Sequence, residues 1–201
     1  MQISVAESWP PAVLKTLETY KAPFKELGCQ VVLKKVPLSR SMLMVSKGQI
    51  DGDTFRIEGF EDDFPHVLRV QSPMARFGYY IYKKKNTRFD INNPKSLAGS
   101  RTCLTFGNRL RRRVSRELKL KVTETANTSQ CIKMLTKERV DVFFGPRPEL
   151  EDPSLHDLNV QLVRADQPYI TVNLYIYLNE KHSELAKKLE QNLDKYFVIV
   201  E

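Results

Sequence analysis

The chain has 201 residues, 41% apolar and 28% charged, with a formal net charge of +8 and a pI near 9.4. That length carries one domain or two small lobes with a real core, and the charge favours anionic partners or simple solubility. No apolar run approaches the ~20 residues of a membrane-spanning helix.

The elements alternate between strand-like and helix-like patterns, as in an α/β fold with mostly parallel strands. "QISVAES" reads as a first strand. Val13, Leu17, Tyr20, Phe24 and Leu27 then recur at helical spacing up to Gly28, with Pro23 as a kink point. "CQVVLKKV" is a second strand. A short helix follows Pro37, with Ser39 as N-cap, Leu38, Met42 and Val45 inward, and Gly48 as its stop. "IDGDTF", "HVLRVQ" and "RFGYYIYKK" are three further strands. Around "NTRFDINNPKSL" the texture turns polar, which marks a lobe boundary or hinge.

A second set of units begins there. "SRTCLTF" is a strand, and Gly107-Asn108 leads into a helix striped by Leu110, Val114 and Leu118. "KVTET" is a strand, "TSQCIKMLTKER" a helix with Cys131, Met134 and Leu135 inward, and "VDVFFG" a strand. "PRPELEDPSLHD" is loop with room for a turn of helix. "VQLVRA" and "YITVNLYIYL" are strands, and an amphipathic helix with Leu185, Leu189, Leu193 and Tyr196 closes the chain. The segments "SKGQIDGDTF" and "TKERVDVFFG" rhyme: each is a helix end, a β-branched residue, an Asp and an apolar strand. Two such βαβ sets separated by a polar crossover predict two similar α/β lobes facing each other across a cleft, with residues 1–82 plus 170–201 as lobe I and 83–169 as lobe II.

In open α/β sheets, ligands sit beyond the carboxyl ends of the strands. The residues just after strands are therefore the candidates: Glu7, Ser8 and Trp9; Asp53 and Arg56; Gly107, Asn108 and Arg109; Gly145, Pro146 and Arg147. Arg56 has two readings. Its planar fork suits a carboxylate in a cleft, or it pairs with Asp53, Glu58 or Asp51 to hold the strand–loop junction. Arg40 starts a helix, where a cation opposes the dipole, so it needs an anionic ligand or an acid such as Asp51. Free N–H groups at the Arg109 helix start suit an anion, or are simply capped. Trp9, the only tryptophan, is a cleft wall or a core residue. The cysteines Cys29, Cys103 and Cys131 have no metal spacing and no CxxC; the reading is buried small hydrophobes, at least one of them unpaired. His66, His156 and His182 are scattered, so neither metal nor cofactor is expected.

The stretch "VPLSRSMLMVSKGQIDGDTFRIEGFEDDFPHVLRVQSPM", the segment "KSLAGSRTCLTFGNRL", the run "MLTKERVDVFFG" and the terminal "IYLNEKHSELAKKLEQNL" together resemble the type II periplasmic solute-binding proteins, family 3, in an uncharacterised branch. The resemblance covers nearly the whole chain. Glu138 stands where the family has Gly. The resemblance implies a clamshell of two α/β lobes, joined by two crossover strands, that captures a small molecule in its cleft for an ABC-transporter permease or a sensor kinase, as a monomer, in the periplasm. On that reading "MQISVAESW", which has no basic or apolar leader region, is a start from which the signal peptide has been removed. Amino-acid binders of the family place an Asp after the strand read here as "VDVFF"; this chain has Gly145, Pro146 and Arg147. An anionic or carboxylate-bearing ligand is therefore expected, with Glu7, Trp9, Arg40, Asp53, Arg56, Gly107, Asn108, Arg109 and Arg147 as its contacts.

Competing classes are weaker. Porphobilinogen deaminase and chorismate dehydratase share this general fold, but no catalytic constellation stands out and Cys103 lies inside an apolar strand. The effector half of a LysR-type regulator has a similar shape, but no helix-turn-helix precedes Met1. In "RLRRRVSR", Arg111, Arg112, Arg113 and Arg116 read as solvated faces around the leucine stripe, without the aromatic platform of a single-strand nucleic-acid binder. A sensory or regulatory domain remains the alternative role.

Overall fold

The structure, a computed structural model, describes residues 1–7, 9, 18, 20–150 and 153–200. Ser8, Val13 and Leu17 lie outside the described residues, and with them most of the expected first helix. The chain divides into two compact units, Met1–Phe77 with Val172–Val200, and Gly78–Thr171.

The first unit holds β1 (Gln2–Ala6), α1 (Lys21–Glu26), β2 (Val32–Val36), α2 (Ser41–Ser46), β3 (Gly52–Arg56) and β4 (Val67–Arg69), with the start of β5 (Ala75–Lys84). Strand β1 lies between β2 and β3 and is parallel to both. The second unit repeats this order. There β6 (Arg101–Thr105) lies between β7 (Lys121–Thr125) and β8 (Val142–Pro146), again parallel to both, with α3 (Arg109–Glu117) and α4 (Thr128–Thr136) as the connecting helices. Two short helices, α5 (Arg147–Leu150) and α6 (His156–Asn159), fill the segment expected as loop, before β9 (Leu162–Arg164). The chain then runs through β10 (Ile170–Asn179), α7 (Ser183–Asn192) and β11 (Val198–Val200), the last of which the sequence pattern did not predict.

Each third strand is flanked by a long antiparallel one. In the first unit β10 pairs with β3, Leu178 opposite Gly52. In the second, β5 pairs with β8, Tyr80 opposite Gly145. Gly52 is required here. A Cβ at this position would lie 2.5 Å from the Tyr177 carbonyl oxygen and 2.9 Å from the Ile3 side chain.

Strand β1 is buried on both faces, as the middle strand of a parallel sheet must be. Ile3 and Val5 bring apolar surface, and the buried Ser4 satisfies its hydroxyl by donating to the Gly52 carbonyl at 3.1 Å. Met42, Val45, Ile50, Phe60, Val67, Tyr175 and Tyr177 form one packed cluster of this unit. In the second unit Cys103, Cys131, Ile132, Leu135, Val140 and Phe143 belong to another.

The rhyming segments do the same job twice. Asp51 donates its N–H to the Gln2 carbonyl at 2.8 Å and accepts the Gln2 N–H at 2.7 Å. Asp141 donates to the Arg101 carbonyl at 2.9 Å and accepts the Arg101 N–H at 2.7 Å. In each unit, then, the Asp before the third strand fixes the first residue of the middle strand.

Three local expectations are corrected. The residue bounding α2 is Arg40, not Ser39, and no side chain caps it. Strand β3 continues through Arg56 instead of ending at Phe55. Cys103 and Cys131 are not separate thiols but a buried disulfide that fastens β6 to α4 across 28 residues, leaving Cys29 free. No helix of the described residues is long and apolar enough to cross a membrane.

Candidate functional site

In the first unit the candidates gather where β1 and β3 end. Glu7 is exposed and its N–H is held by the Val36 carbonyl at 3.1 Å. Trp9 is half-buried and meets Phe55 edge-on, ring centres 5.2 Å apart. Phe55 also meets Tyr20 at 5.6 Å and Phe77 at 5.5 Å. Its φ is +55°, left-handed backbone that a bulky residue adopts only when its surroundings enforce it. The aromatic contacts supply that enforcement, and the turn they hold sets the direction of the chain at Arg56.

Arg56 is buried, 4% exposed, and its guanidinium is engaged inward. Its Nε donates to Asp53 Oδ2 at 2.5 Å, and its Nη2 donates to the Leu38 carbonyl at 3.2 Å and to the Ser41 hydroxyl. Asp53, fully buried, also accepts from the Ser41 hydroxyl at 2.7 Å and from the Thr54 N–H at 2.9 Å. Of the two readings open for Arg56, this is the ion-pair geometry. It ties the end of β3 to the start of α2, where Arg40 stands. Arg40 is exposed and has no ion pair among the described residues. Asp51, its expected acid, is taken instead by Lys181 at 2.9 Å and His182 at 2.7 Å.

In the second unit Gly107 turns the chain with φ +79° after β6, beside the exposed Phe106. The Asn108 side chain accepts the Arg111 N–H at 3.0 Å and so caps α3, with Arg109 half-buried as its first residue. Gly145 and Pro146 end β8, and the exposed Arg147 opens α5.

The residue that periodicity misplaced is Arg111. It is 1% exposed, not on a solvated face. It pairs with the buried Glu149, which also accepts from the Thr128 hydroxyl at 3.0 Å, and its guanidinium lies 4.7 Å over the Phe143 ring. Gly145 makes room for it: a Cβ there would sit 2.9 Å from the Arg111 Nη2 and 2.6 Å from the Phe143 ring. The apolar burial of Tyr79, together with the Glu149 charge, holds its phenol protonated well above the usual range. Each unit thus has a buried arginine, carboxylate and hydroxyl behind the strand ends. Of the other arginines in the basic run, Arg112 pairs with Glu124. Among the described residues no group of three His, Cys, Asp or Glu side chains is placed to hold a metal ion.

This arrangement has known counterparts. Each unit sets its strands in the order second–first–third, with a long strand shared along the chain. A solved ancestral arginine-binding protein bound to arginine superposes with a TM-score of 0.78 over 97% of this chain and 91% of its own, at 18% identity. The fold is that of the type II periplasmic binding proteins. A histidine kinase sensor domain with similarity to periplasmic binding proteins matches this type II fold equally, with a TM-score of 0.80 over 97% of this chain and 89% of its own, at 12% identity. In sequence, an uncharacterized protein of Shewanella oneidensis is 21% identical over 184 residues, covering 88% of this chain and 68% of that protein. No protein-family model matches the chain.

Proposed function

We propose that this type II binding-protein chain is a solute-binding domain for a small anionic or carboxylate-bearing molecule. The observation that carries the reading is the cationic set at the strand ends: Gly145 and Pro146 end β8, Arg147 follows it, and Arg109 begins a capped helix beside Gly107. Glu7, Trp9 and Arg40 offer the contacts of the first unit, with Trp9 as an aromatic wall. The buried pair Asp53–Arg56 supports a positioning role, fixing the segment from which Arg40 projects. Binding without catalysis is the role proposed, with an ABC-transporter permease or a sensor kinase as the downstream partner.

An extracytoplasmic location is supported by a feature independent of the fold. The buried Cys103–Cys131 disulfide belongs to an oxidising compartment. A sensory role is the second reading, favoured by the likeness to the sensor domain.

The test is a thermal-shift and calorimetry screen over organic acids, phosphates, aromatic acids and amino acids. A ligand at ~100 times its dissociation constant stabilises the folded form by ~2.7 kcal/mol. The expected hits are anions, and the tightest of them loses affinity in Trp9→Ala and Arg109→Ala. Tight binding of lysine or arginine would overturn the anionic reading.

A further inference from the structure

Within the second unit lies a cavity of roughly 610 Å³ whose walls include Tyr82, Leu150, Leu162, Asn159, Arg147 and Arg164. Its volume is in the range of small-molecule sites, and a mostly apolar wall with a few convergent polar groups is their usual construction. Leu150 and Leu162 are buried and belong to the core of the unit.

Two polar atoms of this wall are without partners. Among the described residues the buried Tyr82 phenol oxygen makes no hydrogen bond, and the same holds for the Asn159 side-chain oxygen. Tyr82 as a residue is 5% exposed, so its hydroxyl has left water without compensation. Such an orphan is destabilising and calls for a partner that the site takes up in another state.

The charges on this wall have one dominant sign. Arg164 lies with its guanidinium 4.2 Å over the Tyr80 ring and has no acidic partner among the described residues. Arg164 and Arg147 are both near enough for their charges to act on the Tyr82 phenol. The opposing acid, Glu149, is already bound to Arg111 and Thr128.

We infer that this cavity is a second small-molecule site, separate from the one proposed above, and that it takes a short hydroxycarboxylic acid. The carboxylate sits against Arg164. The Tyr82 hydroxyl donates to the ligand, and the Asn159 oxygen accepts from the ligand hydroxyl. The short carbon chain lies on Leu150 and Leu162.

The experiment is calorimetric titration of the whole chain with malate and lactate as probes, acetate and inorganic phosphate as comparisons, and Tyr82→Phe, Arg164→Gln and Trp9→Ala as variants. Circular dichroism confirms that each variant is folded. The expected result is malate or lactate binding that weakens about tenfold or more in Tyr82→Phe and in Arg164→Gln, is unchanged in Trp9→Ala, and exceeds that of acetate. Three results would overturn the inference: no heat from either hydroxy acid at millimolar concentration, equal binding in Tyr82→Phe, or loss of binding in Trp9→Ala, which would move the probe to the first site. Failure of the anion screen above leaves this titration readable, because Tyr82 and Arg164 take no part in that site.

Discussion

Glu138 occupies in the second unit the left-handed helix stop that Gly48 occupies in the first. Gly48 follows α2 with φ +67°, and Glu138 follows α4 with φ +55°. Both stops close with the same bonds. Gly48 N–H donates to Val45 and Gln49 N–H to Met44; Glu138 N–H donates to Leu135 and Arg139 N–H to Met134. Only glycine adopts this backbone without a Cβ penalty.

Glu138→Gly is therefore expected to raise stability by about 0.5–1 kcal/mol. The side chain it removes makes a largely exposed ion pair with Lys84, which offsets little of the gain. Gly48→Ala should cost about 1 kcal/mol through φ alone, since its Cβ would meet nothing nearer than the Asn179 side chain at 3.9 Å. Urea denaturation of the two variants beside the parent checks both signs.

The buried arginines set a second test. Breaking a buried pair by removing one partner costs ~3–5 kcal/mol, because the other charge is stranded. Arg56→Ala strands Asp53, and Glu149→Gln strands Arg111. Both variants are expected to lose stability on that scale in chemical denaturation. If Arg56→Ala keeps its stability and loses only ligand affinity, Arg56 is a ligand contact and not a positioning residue.

The disulfide sets a third. Closing a 28-residue span removes about 3–4 kcal/mol of chain entropy from the unfolded state. Cys103→Ala/Cys131→Ala, or reduction of the parent chain, should lower the denaturation midpoint accordingly, and Cys29→Ala should not. Denaturation with and without a reductant reads this directly.

Acid sensitivity follows from the two aspartates that fix the middle strands. At Asp51 burial pushes the carboxyl up, but hydrogen bonds from Lys181, the Gln2 N–H and His182 outweigh it and hold it far below its ordinary 3.8. At Asp141 the hydrogen bonds from the Arg101 side chain, aided by its N–H and charge, outweigh burial and hold the carboxyl low. A carboxyl lowered by folding stabilises the native state above its unfolded pKa. That contribution is lost as pH falls below 3.8 toward the folded value. Stability should therefore drop with acid in this window, and the drop should shrink in Asp51→Asn and Asp141→Asn. Denaturation curves at a series of pH values between about 2 and 6 measure it.

The alternation of elements, the helix stop at Gly48 and the rhyme of Asp51 with Asp141 were legible in the sequence because each is written in neighbouring residues. The strand ends were legible too, so Trp9, Gly107 and Arg147 could be named from position alone. Arg111 was not. It flanks the Leu110–Val114 stripe, and what draws it inward, Glu149, lies 38 residues away. The disulfide was hidden for the same reason: three cysteines allow three pairings, and only folding brings Cys103 to Cys131. Leu150 and Asn159 of the proposed cavity fall in short helices whose four-residue length leaves no periodicity to read.

The first unit is made from the two ends of the chain. Its third strand waits for β10: Gly52 pairs with Leu178, and Arg56 with Tyr175, across more than a hundred residues. The second unit is one contiguous stretch. On a growing chain, residues 78–171 have every partner in hand while the first unit still lacks its bordering strand, with Asp51 still missing Lys181 and His182. The second unit is thus positioned to fold during synthesis, and the first is completed, by closing a long loop, only when residues 172–200 arrive, which makes its completion the slower, high-contact-order event.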